Sequence, residues 1–173
     1  MSIERRNALQ MVADVVRDSG GRLVGRTRLQ KTACLLELAG LGDSFDFDYK
    51  YYGPFSDSLA SAARDAGALG ILNETEYETE WGGWYSIYSA HGHSQHELSA
   101  ERAPLAKASA NADAVELELA VTAAFLAARG ESDPWTLTEK LKPAKAASGR
   151  LDKAKQLYET LRLIPVPKEL PAI

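Results

Sequence analysis

Apolar positions recur at helical spacing from Ile3 to Asp18, where Ile3, Ala8, Leu9, Val12, Val15 and Val16 share one side of a 3.6-residue repeat. Gly20-Gly21 supplies a left-handed stop. Arg22-Leu23-Val24 reads as a short extended piece. A second helix is predicted from Thr27 to Ala39, with Leu29, Ala33, Leu35, Leu36 and Leu38 forming a broad apolar face before Gly40 and Gly42. The period then changes. Across residues 45–52, Phe45, Phe47, Tyr49 and Tyr51 alternate with Asp46, Asp48 and Lys50, which predicts one strand with one buried side. Gly53-Pro54 is the expected turn, and Ser56 or Asp57 the cap of a third helix carrying Leu59, Ala62, Ala63, Ala66 and Leu69.

Two alternating runs follow, Ile71 to Trp81 and Trp84 to Ala90, separated by Gly82-Gly83. This predicts a β-hairpin on a two-residue turn. In that register Trp81 faces Trp84, Thr79 faces Ser86 and Tyr77 faces Tyr88, so one side is aromatic. Glu74, Glu76, Glu78 and Glu80 lie on the other, opposite Tyr85 and Ile87. Tyr77 and Tyr88 are expected to pack on the helices. Residues 91–112 show no firm period, contain Pro104, and read as a connector carrying a helical turn or two. A strong helix is predicted from Asp113 to Arg129, a short one from Asp133-Pro134 to the interruption at Pro143, and a last one from Gly149 to Leu163. The tail, with Pro165, Pro167 and Pro171, is expected to lie along the surface.

These elements predict an α+β, mainly helical fold. Residues 1–90 form a winged-helix-like N-terminal half with a β-hairpin, into which the strand at 45–52 is inserted. Residues 91–112 connect it to a helical C-terminal extension, 113–173, that packs on the first half or builds a homodimer.

Composition changes this picture little. The 173 residues are 45% hydrophobic and 25% charged, ordinary for a globular chain. No apolar run approaches the ~20 residues of a membrane span, and a lone cysteine, Cys34, fits a reducing compartment. A cytoplasmic protein without a membrane partner is expected. Charge is more informative. Residues 1–40 carry +3, residues 41–90 carry −7 and residues 91–173 are balanced. The first stretch attracts a polyanion and the second repels it.

Four constellations are candidates for chemistry. Arg22, Arg26, Arg28 and Lys31 cluster at the start of the second helix and, with Arg5 and Arg6, suit phosphate contacts. The same cluster equally suits a solvated helix end or ion pairs with the acidic hairpin. The helix at 57–69 offers Arg64 alone between Asp57 and Asp65, so sequence-specific reading of DNA through it and a glutamate-lined wing is disfavoured. His91, His93 and His96 fall within six residues and are candidate ligands for Zn²⁺ or Ni²⁺, against a plain polar connector. Trp81 and Trp84, at the hairpin tip, are candidates for a protein interface, where tryptophan is enriched. Cys34 reads as a buried structural thiol, and Asp46 with Asp48 as the wet side of a strand. No phosphate-binding loop, nucleophile elbow or dinucleotide fingerprint occurs, and no cofactor is expected.

The runs Gly25-Arg26-Thr27-Arg28-Leu29-Gln30-Lys31, Tyr51-Tyr52-Gly53-Pro54-Phe55-Ser56 with Leu59, and Gly67-Ala68-Leu69-Gly70-Ile71 resemble the bacterial YwgA-like family. Leu119-Ala120-Val121-Thr122 with Phe125-Leu126, and Leu141-Lys142-Pro143-Ala144-Lys145, extend the likeness over most of the chain. The motifs are structural rather than catalytic. More remotely, the Leu-x-Lys helix followed by a Gly-Pro turn is similar to the Panacea (SocA-type) antitoxin domain, which implies a toxin-neutralising or proteolytic-adaptor role. Ala33-Cys34 departs from the aromatic usual there. The expectation is a non-enzymatic interaction module whose partner is another protein. The alternative is a nucleic-acid-binding regulator using residues 22–31, and the third reading a metal-dependent hydrolase.

Overall fold

The computed structural model describes residues 2–90 and 99–173. It opens with α1 (Ile3–Asp18), β1 (Arg22–Val24) and α2 (Arg26–Leu38), where the periodicities place them. Ser2 caps α1 by accepting the Arg5 amide at 3.2 Å. Beyond α2 the expectation of a single strand over 45–52 fails. The chain forms a separate antiparallel ribbon, β2 (Asp48–Lys50) and β3 (Gly53–Phe55), with Tyr51-Tyr52 as its turn. Phe45 and Phe47 are buried, but Tyr51 is 96% exposed. The turn falls early because Gly53 serves a different purpose: it sits at φ +84°, where a Cβ would lie 2.6 Å from Thr122 Oγ1. The left-handed backbone and the close approach both require the glycine.

After α3 (Asp57–Ala68) come β4 (Asn73–Glu78) and β5 (Trp84–Ser89), and the three-stranded antiparallel sheet has the order β1-β5-β4. The hairpin register differs from the expected one by three residues: Tyr77 faces Tyr85, and Glu78 faces Trp84. An odd slip exchanges faces. Glu74, Glu76 and Glu78 therefore share a side with Tyr88, Ser86 and Trp84. The cause is the turn. Gly82 N donates to Thr79 O at 3.0 Å and Thr79 N to Gly83 O at 2.6 Å, enclosing a three-residue loop of Glu80, Trp81 and Gly82. Gly82, the last loop residue, takes the left-handed φ common at that position, and Gly83 already pairs with Thr79.

The stretch taken as a connector contains α4 (Ala103–Ala110), whose Leu105 and Ala106 are fully buried against α2 and α1. Its entry is fastened by an ion pair between Arg102 and the buried Asp18. Next come α5 (Ala114–Ala128), α6 (Pro134–Leu141), α7 (Pro143–Ala146) and α8 (Arg150–Arg162). Residues Leu117 to Phe125 of α5 are all buried, because the helix runs through the middle and packs on α2, α6, α8 and β3. One apolar core joins Leu9 and Val16 of α1, Leu36 of α2, Leu59 of α3, Val121 of α5 and Leu161 of α8. Each such aliphatic side chain contributes about 1.5–3 kcal/mol by leaving water. The proline-rich tail lies along this assembly: Lys168 N donates to Ala39 O at 3.0 Å, Tyr158 Oη to Pro171 O at 2.8 Å, and Leu170 is buried. The fold is α+β and mainly helical. None of the described helices is long and apolar enough to cross a membrane.

Candidate functional site

The basic start of α2 disperses once folded. Arg22 is exposed on β1, opposite Ser89. Arg26 reaches the β4–β5 hairpin, called the wing only for its shape, 2.6 Å from a Glu76 oxygen and 3.4 Å from a Glu74 oxygen. Arg28 donates to the carbonyls of Ala112 (3.0 Å) and Val24 (3.2 Å), tying β1 to the loop before α5. Lys31 is 1% exposed and donates to Pro54 O at 2.7 Å. As a contact candidate Lys31 is thus corrected. Its site on α2 faces the β3 ribbon, and an ammonium there cannot reach a phosphate outside. Burial pushes its pKa down to about 8, while the Glu118 carboxylate pulls the other way. The next residue back, Gln30, clamps the same ribbon, donating to Ser56 O at 3.0 Å and accepting from Ser56 N at 2.9 Å.

Lys31 belongs to an interior polar seam. Glu118, buried in α5, accepts from Lys142 at 2.7 Å and from Lys145 at 2.6 Å. Lys142 is buried at the α6–α7 junction, and its Cε and Nζ lie 3.4–3.5 Å from where a Gly53 Cβ would be. Lys145 reaches outward with its ammonium 5.4 Å from the centre of the Tyr52 ring. The Glu118 carboxylate is thus shared by two ammonium groups within the fold, and the seam joins α5, the α6–α7 junction and the β2–β3 ribbon. One sign of it stood in the sequence: Glu118 lies between Leu117 and Leu119, inside the stretch of α5 that is buried.

The wing presents the opposite condition. Trp81 is 90% exposed in the turn and Trp84 67% exposed beside Glu78. On the reverse side Tyr77 and Tyr85 stack with centroids 5.6 Å apart. Tyr77 is 46% exposed, so the expectation that it packs on the helices is corrected: the register turns it to the outer face. Tyr88 is buried as expected. Between Asn73 and Ser89 there are four glutamates and no lysine or arginine. Arg26 answers Glu74 and Glu76, while Glu78 and Glu80 have no ion-pair partner among the described residues. Below the wing an open groove of about 310 Å³ runs between α2 and α3, with Arg26 and Arg64 set against Asp57 and Glu74. Mixed charge makes it a poor seat for a polyanion.

Cys34 is buried, and burial pushes its thiol up to about 12, which suits a packed side chain and not a nucleophile. Asp46 is exposed, and Asp48 meets Arg129 at 3.3 Å. His91, His93 and His96 lie outside the described residues. No family model, curated protein or solved structure matches the chain.

Proposed function

We propose that this chain is a non-enzymatic interaction module that offers its wing to another protein. A single observation carries the reading: two tryptophans stand in water at a hairpin tip, the residue type most enriched where protein interfaces concentrate their energy. The order α1, β1, α2, α3, β4, β5, with β1 paired to β5, supports a winged-helix-like description of the N-terminal half. The proposed role, neutralising or delivering a bound protein in the manner of an antitoxin or adaptor, rests on the family resemblance.

A second reading keeps nucleic acid as the partner, because Arg22 and Arg26 retain exposed guanidiniums. Against it stand the inward commitment of Lys31 and the glutamates beside Arg26. Affinity capture from native extract separates the two. The wild-type chain is expected to retain a protein that the Trp81→Ser/Trp84→Ser variant loses by about tenfold or more, whereas Arg22→Ala/Arg26→Ala retains it. Binding of duplex DNA that weakens steeply with salt and vanishes in the arginine variant reverses the assignment.

A further inference from the structure

We infer that β4 is a docking edge for an extended basic segment of a partner protein, which adds as a fourth strand beside it. This deepens, and rests on, the reading of the wing as a protein-binding element.

Among the described residues, the sheet order β1-β5-β4 leaves β4 paired on one side only. Its six residues, Asn73 to Glu78, are exposed apart from the half-buried Glu74, so the backbone groups facing away from β5 are presented to solvent. An edge of this length is a template for another strand, and peptides join sheets through it by main-chain hydrogen bonds with alternate side chains supplying selectivity. The edge carries no proline, and its charges are all negative, so they deter a like-charged strand and not a basic one.

Charge decides the occupant. A second copy of the chain laid edge to edge would set Glu74, Glu76 and Glu78 against the same three glutamates, an arrangement that like charges disfavour. A strand with lysine or arginine at every second position meets the opposite field. Its cations line up with Glu76 and Glu78, and Arg26 leaves Glu76 about half exposed to receive one. The intervening residues of the guest fall on the other side of the sheet, beside Thr75 and the stacked pair Tyr77 and Tyr85. Apolar or β-branched residues suit that side. The fitting guest is therefore an alternating basic/apolar strand.

Amide hydrogen exchange on the full chain tests this, with a synthetic peptide of strictly alternating lysine and valine as the probe. The peptide is expected to slow exchange at alternate β4 amides by about tenfold or more, with no comparable change in α1 or α8. A peptide of identical composition with its lysines in one block is expected to bind about tenfold more weakly, as is the alternating peptide N-methylated at every second residue. Glu76→Gln/Glu78→Gln keeps the shape and is expected to lose about tenfold in affinity, and Glu76→Lys/Glu78→Lys to prefer a glutamate–valine peptide. Unchanged β4 exchange at saturating peptide overturns strand addition, as does equal binding of the blocked and alternating peptides. If the tryptophan variant still fails to capture a protein while β4 ignores the peptide, the wing reading survives and the strand does not. If capture is also indifferent to the tryptophans, both fall.

Discussion

The seam around Glu118 and the wing around Glu78 hold similar residues under opposite conditions. In the seam a carboxylate buried among α5, α6 and α7 has two ammonium groups within 2.7 Å, and one of these, Lys145, lies 5.4 Å from the Tyr52 ring of the β2–β3 ribbon. On the wing, carboxylates and aromatic rings stand in water, and two of the four glutamates have no cation among the described residues. Charge that is answered inside holds elements together. Charge and apolar surface left unanswered outside are where a partner gains by binding. The difference separates what the sequence spends on its fold from what it leaves for function.

Substitutions sharpen this contrast. Glu118→Ala leaves the buried Lys142 ammonium without a counter-ion and is expected to cost about 3–5 kcal/mol in urea unfolding. Glu78→Ala, its counterpart on the wing, is expected to change stability by less than about 0.5 kcal/mol. Equal losses would erase the distinction. A pH series addresses Lys31. Its ordinary value is 10.5 and its folded value about 8, so between those limits the unfolded chain holds a proton that the folded chain has released. Stability therefore rises with pH across that window, by a total on the order of 3 kcal/mol. Below the folded value the whole cost of burying the cation is present. Urea midpoints at successive pH values measure the rise, and Lys31→Met is expected to flatten it.

Smaller effects follow. Gly53→Ala forces a left-handed alanine against Thr122 and is expected to lower stability by about 2 kcal/mol, read as a fall in Tm. Trp81→Ser with Trp84→Ser is expected to leave urea stability within about 0.5 kcal/mol of the wild type. A large loss there would mean that the wing tip is part of the fold after all.

Helices were legible in the sequence because their periodicity is local: α1, α2, α3, α5 and α8 lie where the apolar repeats and caps place them. The hairpin was legible as a hairpin, but its register was not. Gly82-Gly83 accommodates a two- or a three-residue loop, and the two choices turn Tyr77 to opposite faces. The division of the basic cluster was also hidden. Lys31 looks like its exposed neighbours until the Pro54 carbonyl, 23 positions away, is seen to accept its hydrogen bond. Arg26 was different, since pairing with the acidic hairpin was one of its readings from the start. The helix at 103–110 was legible only as a turn or two within a connector, because its alanine-rich residues hold a single large apolar side chain, Leu105, and show no repeat.

Site-specific photo-crosslinking in living cells bears most directly on the claim that the wing, and not the basic start of α2, meets the partner. A photoreactive residue replacing Trp81 is expected to give a discrete protein adduct, while the same residue replacing Arg22 gives none. Nucleic-acid adducts at position 22, with position 81 silent, would contradict it.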